Sequence, residues 1–197
     1  MPAVTFQFDL GSPYAHLAAA RLHTVLPEPV RWQPVLLGGL FRLAGRSSWA
    51  LGDERRRRAG MAGIERRAHE YGLAPVRWPD PWPADYLFAM RAATFAFEVG
   101  LGREFTRSAF GDAFERGADL SAPARVLDAG RRVGIAAAEL EAATRDPHIR
   151  GTLRAATEAA HDRGVLGVPT VAIGDALFWG DDRLEDAAAH LRAVTAA

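Results

Sequence analysis

The sequence predicts an α/β fold in which a small sheet is interrupted by a long helical insertion. Three observations carry this: a β-α-β pattern in the first third, helical periodicity alone from about Leu40 to His161, and a helix, a hairpin and a helix at the end. Val4 to Phe8 alternate apolar and polar, like a strand with one buried face. Asp9-Leu-Gly-Ser-Pro breaks the alternation. From Ser12 the spacing turns helical, with Ala18, Leu22, Val25 and Leu26 on one stripe that Pro27 and Pro29 end. Residues 30 to 37 supply Val30, Trp32, Val35, Leu36 and Leu37 for a second strand, a pattern weakened by Pro34, which cannot donate to a ladder.

The middle of the chain shows stripes at helical spacing: Met61, Ile64, Ala68 and Tyr71; Leu87, Met90, Ala93 and Phe97; Phe110, Ala113 and Phe114; Ile149, Leu153, Ala156 and Ala160. The segment from Pro75 to Pro83 is too rich in proline for regular helix and connects two helices. Strand character returns at Val168 to Ile173, Gly174-Asp175 signals a tight turn, and Ala176 to Trp179 return. A last helix buries Leu184, Ala187, Ala188, Leu191 and Val194. Four strands near 4–8, 30–36, 168–173 and 176–180 are thus expected. This is the element order of a thioredoxin-like core, residues 1–38 with 146–197, carrying a helical domain inserted at 39–145.

The 197 residues suit one folded unit. Twenty-four basic residues, all Arg, balance 24 acidic ones, so no global field draws the chain to nucleic acid or a membrane. With no cysteine, disulfides, thiolate metal sites, Cys-x-x-Cys redox centres and cysteine nucleophiles are excluded. No signal peptide or membrane span is legible, and a cytoplasmic location is expected. The six histidines lack metal-ligand spacing, so no metal is expected. Arg55 to Arg58 point in four directions on a helix and read as a solvated face, with Glu54 spaced to pair with Arg58.

Three short segments could carry chemistry. Ser12 followed by Pro13 has the form of a helix N-cap, and the same place also suits an anion or thiolate, held by free N–H groups and the dipole. No Gly-x-Ser-x-Gly surrounds Ser12, and His16 lies one turn along, so an acyl-transfer nucleophile is not expected. In Gly167-Val168-Pro169-Thr170, a cis bond would turn the Val168 backbone outward to pair with an extended ligand; the alternative is an ordinary edge-strand proline. In Phe178-Trp179-Gly180-Asp181-Asp182-Arg183-Leu184, Asp182 with Glu185 fits a capping box, which leaves Asp181 over; the paired carboxylates could instead bind an ammonium group. Trp49, Trp78 and Trp82 either line an aromatic pocket near the inter-domain cleft or are simply buried there.

Together Phe-Asp-Leu-Gly-Ser-Pro-Tyr at 8–14, Gly-Val-Pro-Thr at 167–170 and Phe-Trp-Gly-Asp-Asp-Arg-Leu at 178–184 resemble the 2-hydroxychromene-2-carboxylate isomerases and related kappa-class glutathione transferases of the DsbA-like thioredoxin superfamily. The resemblance spans essentially the whole chain. It implies glutathione as cofactor, a small aromatic electrophile as substrate and a homodimer. It implies that Ser12 hydrogen-bonds the glutathione thiol and favours its thiolate, and that Val168, before a cis Pro169, pairs with the cysteinyl part. Trp179, Gly180, Asp181 and Asp182 would meet the γ-glutamyl end, with Tyr14, Trp49 and Trp82 near the substrate. Asp181 stands where relatives carry Asn, Gln or Ser, and would face the γ-glutamyl carboxylate with like charge. The alternative function is a thioredoxin-like module that binds a ligand without redox activity or turnover.

Overall fold

The computed structural model describes residues 2–27 and 29–196. Strands β1 (Val4–Phe8), β2 (Val30–Pro34), β3 (Thr170–Ile173) and β4 (Ala176–Trp179) form one sheet in the order β2-β1-β3-β4. β1 runs parallel to β2 and antiparallel to β3, and β3 and β4 form a hairpin. Helix α1 (Pro13–Val25) makes the β-α-β crossover, and α9 (Leu184–Ala196) closes the chain. Between β2 and β3 lie α2 (Leu37–Leu43), α3 (Glu54–Glu70), α4 (Leu87–Glu98), α5 (Gly102–Phe110), α6 (Pro123–Arg132), α7 (Ala137–Arg145) and α8 (Pro147–Asp162). Among the described residues no strand interrupts them.

Each predicted strand is present, and three are shorter than expected, β4 by the single residue Gly180. β2 stops at Pro34 rather than 36: Val35 N–H still returns to the Phe8 carbonyl at 3.0 Å, and the two amides after it turn to side chains, Leu36 N–H donating to Thr157 Oγ1 at 2.9 Å and Leu37 N–H to Asp9 Oδ2 at 2.8 Å. Pro34 is tolerated because it is the last residue of an edge strand. β3 starts at Thr170 rather than 168, after the Pro169 turn. In α9, Val194 is exposed rather than buried, because the helix has run past the core by its last turn.

Trp32 meets Phe6 and Phe8 of the sheet edge-on, at 5.0 and 5.9 Å between ring centres, the two phenylalanine rings lie nearly parallel, and Phe110 from α5 reaches Phe8 at 6.0 Å. This aromatic layer is fully buried and joins sheet to insertion. The expected helical stripe of Phe110, Ala113 and Phe114 is α5 followed by a π-helical turn, Gly111–Glu115. The wider turn sets both phenylalanines against the His16 ring, at 5.7 and 5.5 Å.

The turn from β1 into α1 is crowded. Tyr86, just before α4, packs so closely on Gly11 that an added β-carbon would lie 2.4 Å from its ring. Gly11→Ala must therefore displace Tyr86 or the turn, and is expected to lower stability by about 1–3 kcal/mol, read from urea unfolding midpoints.

Candidate functional site

The site grows from the C-terminal end of β1. Asp9 is buried, with Oδ1 accepting from Gly11 N–H and Oδ2 from Leu37 N–H, both at 2.8 Å. Ser12 N–H donates to the Asp9 carbonyl at 3.0 Å, which fixes the turn that starts α1. Ser12 then caps α1 as its sequence suggests: its Oγ accepts from Ala15 N–H at 3.2 Å, and Pro13 occupies the first helical position. The hydroxyl donates its own proton to the Val168 carbonyl at 3.4 Å. That length is at the limit of a hydrogen bond, so a better acceptor brought to the helix end would take the proton.

The Val168–Pro169 bond is cis. The Pro169 carbonyl accepts from Gly180 N–H at 3.0 Å, tying this loop to the end of β4. Among the described residues nothing accepts a hydrogen bond from Val168 N–H, and its carbonyl holds only Ser12. An extended ligand alongside would find one donor and one weakly engaged acceptor. Gly180, at φ 127°, makes the bend from β4 into Asp181, and Trp179 is half exposed beside it.

The two aspartates do not behave as the sequence suggests. Asp181 is fully buried, paired with Arg67 at 2.6 Å and accepting from Tyr71 Oη at 2.9 Å. Asp182 stays exposed and meets the same Arg67 guanidinium at 3.3 Å. The expected capping box is absent: Asp181–Arg183 form a 3-10 turn that no side chain caps, and Glu185 pairs with Arg21 instead. The expected like-charge face is corrected too, because α3 supplies the cation and hydroxyl that neutralise Asp181. Burial raises the Asp181 pKa, and Arg67 and Tyr71 oppose the shift. The same pairing raises the Arg67 pKa against its own desolvation.

Tyr14, Trp49 and Trp82 come together. Tyr14 meets Trp49 at 6.3 Å, Trp49 meets Trp82 at 5.7 Å and Trp82 meets Trp78 at 4.6 Å. Trp82 Nε1 donates to the Gly11 carbonyl at 3.3 Å, so the aromatic wall is anchored one residue from Ser12. The Arg67 guanidinium sits 5.6 Å over the Tyr14 ring, linking this wall to the aspartates. All three rings are half-buried and keep open surface.

Two buried titratable groups flank the turn. Burial raises the Asp9 pKa to about 6 against its two backbone hydrogen bonds, and lowers that of His16 to about 4, so His16 is a neutral ring between Phe110 and Phe114. Among the described residues no cluster of His, Asp and Glu could hold a metal, and no helix is long and apolar enough to cross a membrane. Arg67, Tyr71 and Asp9 carry the site's electrostatics without having been singled out from sequence: Arg67 is one of many arginines on α3, and Asp9 looked like part of a turn.

A four-stranded mixed sheet with helices inserted between β2 and β3, and a cis-proline loop facing the first helix, defines a thioredoxin-fold protein. A family model for the DsbA-like thioredoxin domain matches residues 3–192, and the chain belongs to that family. No curated protein sequence matches it. A 2-hydroxychromene-2-carboxylate isomerase structure superposes with a TM-score of 0.82 at 22% identity, covering 98% of each chain. A probable DsbA oxidoreductase from Streptomyces coelicolor follows at 0.75 and 18%, over 98% of this chain and 91% of that one. The cytosolic disulfide reductase DsbM from Pseudomonas aeruginosa, solved with GSH, gives 0.67 at 18% over 99% and 100%. At these identities the likenesses establish the fold.

Two measurements probe this electrostatic frame. Arg67→Gln leaves Asp181 buried without its cation and is expected to cost about 3 kcal/mol, the low end for a broken buried pair because Arg67 is itself part-exposed. Denaturant unfolding near neutral pH reads it. Asp9 has a folded-state pKa raised from 3.8 to about 6, so its contribution is complete below pH 4 and is lost as pH rises through 6. His16, lowered to about 4, works in the opposite direction over the same window, so the two proteins are compared: the stability of wild type relative to Asp9→Asn is expected to fall by about 3 kcal/mol between pH 4 and 6.

Proposed function

We propose that the protein is a glutathione-dependent isomerase of the 2-hydroxychromene-2-carboxylate isomerase type, or a related transferase, acting on a small aromatic electrophile. The observation that supports it most is the Ser12 hydroxyl, held at the α1 N-terminus and only loosely engaged by the Val168 carbonyl, in a chain with no cysteine. The residues present fit glutathione. The unpartnered Val168 N–H and the carbonyl beside it suit a cysteinyl backbone. Exposed Asp182 suits an ammonium group, and the outer edge of the Arg67 guanidinium suits the γ-glutamyl carboxylate. Asp181 would act through Arg67, holding its cation in place rather than touching the ligand.

Bound glutathione would supply the nucleophile, a thiolate that adds reversibly to the electrophile, allows rotation about the former double bond and leaves again. The chain's own part is to stabilise that charge and orient the substrate. Ser12 Oγ–H turns from the Val168 carbonyl to the anion, aided by the free N–H groups and dipole of α1. Tyr14, Trp49 and Trp82 give the aromatic ring a stacking wall, and His16, neutral and buried, takes no proton. A second reading, a binding module without turnover, is favoured by the near-complete burial of Ser12.

Ser12→Ala separates these readings. Losing one hydrogen bond to a charged group raises the pKa of the bound thiol by about one to two units, which cuts the thiolate fraction near neutral pH about ten- to a hundredfold. Thiolate absorbance of bound glutathione, titrated in both proteins, is expected to show that shift. Coincident curves would reduce Ser12 to a helix cap, and no bound glutathione in either protein would leave the binding module.

A further inference from the structure

A groove of about 520 Å³ opens where α2, α4 and α8 meet, and it shares no residue with the Ser12 site. Its rim carries Arg42 from α2, Arg91 from α4, and Arg150 and Arg154 from α8. Leu36 and Leu153 line its apolar part. Among the described residues none of these four arginines forms a salt bridge, which is equally true of others such as Arg31, Arg66 and Arg125; what is particular to these four is that they line one groove. In a chain of net charge zero this is a local concentration of uncompensated cations.

The arrangement works against the fold. Arg150 and Arg154 stand at i and i+4 on α8, where like charges destabilise a helix. Arg91 has its pKa lowered by burial and by the nearby charge of Arg150, with only Asp85 opposing. Glu158 is the groove's one carboxylate. Four cations facing the single carboxylate of Glu158 are only partly compensated within the groove, and local rules broken in this way mark places shaped for a ligand. A half-enclosed volume of this size suits a small molecule rather than a polymer.

We infer that this groove binds a small organic dianion, an apolar ring or chain carrying two carboxylate-like or phosphate-like groups, with guanidiniums from α4 and α8 gripping the charges. The fork of each arginine presents paired donors to such a group, and the leucines take the apolar body. The inference is independent of what happens at Ser12.

Phthalate is the probe, with benzoate as its single-charge counterpart, titrated into the full chain by calorimetry at low salt. Phthalate is expected to bind about ten- to a hundredfold more tightly than benzoate, the worth of one charged hydrogen bond. Amide shifts are expected at Gly151 and Leu153. Arg91→Gln and Arg150→Gln are each expected to weaken binding by about the same factor, and Arg55→Gln, on the exposed face of α3, to leave it unchanged. Without ligand, Arg150→Gln is expected to melt at a higher temperature than wild type, because it removes repulsion. No phthalate binding, equal affinity for benzoate, or equal loss in Arg55→Gln would overturn the inference.

Discussion

The Asp9 carboxylate holds two backbone N–H groups from different loops, Gly11 after β1 and Leu37 after β2. Parallel neighbours end on the same side of a sheet, and nothing in a ladder fixes the loops that leave them. Here one side chain sets both, so the entry to α1 and the entry to α2 share a reference point. Ser12 inherits its position from this arrangement, since its own N–H returns to the Asp9 carbonyl. The cost is a buried carboxylate whose two hydrogen bonds do not fully repay its desolvation. A neutral side chain would avoid the cost, but amide N–H donors on Asn would face the backbone donors that Asp9 satisfies.

A second constraint acts across the molecule. Asp181 follows β4, and Arg67 and Tyr71 come from α3 and its C-terminal cap in the insertion. Their contact joins the C-terminal part of the sheet to a helix more than a hundred residues earlier in the chain. Tyr71 also lies under Arg21 of α1, 3.8 Å from its guanidinium carbon, so three elements meet at one ion pair. A buried aspartate held this way acts more as a fastening than as a recognition group. The exposed partner, Asp182, keeps the freedom that Asp181 has given up.

Much of the fold was legible because its signals are local. Alternation in Val4–Phe8, the Ser12-Pro13 cap and the Gly174-Asp175 turn each depend on a few neighbouring residues and each element formed, although the alternation pointed to one buried face and β1, with Gln7 also buried, is covered on both. Strand ends were less legible, since β2 gives way where Thr157 and Asp9, distant in sequence, capture the amides of Leu36 and Leu37. The two aspartates show the same limit more sharply. A capping box is a local inference, and at Asp182 it lost to an arginine on α3 that no spacing pointed to. The tryptophans were legible as turn residues, but their mutual contact required the insertion to fold back over Gly11.

The segment between α3 and α4 supplies Trp78 and Trp82 of the aromatic wall with no regular secondary structure of its own. It is tied down at three points: Arg77 N–H on the Phe114 carbonyl at 2.7 Å, Trp78 Nε1 on Glu65 at 2.7 Å, and Trp82 Nε1 on the Gly11 carbonyl. None of these ties uses Ser12, Val168 or Pro169. Evolution can therefore retailor the shape beside the α1 terminus by lengthening, shortening or re-lettering this loop, while the groups that hold charge stay where they are. The chain separates what is recognised from what is stabilised, and lets the two drift at different speeds.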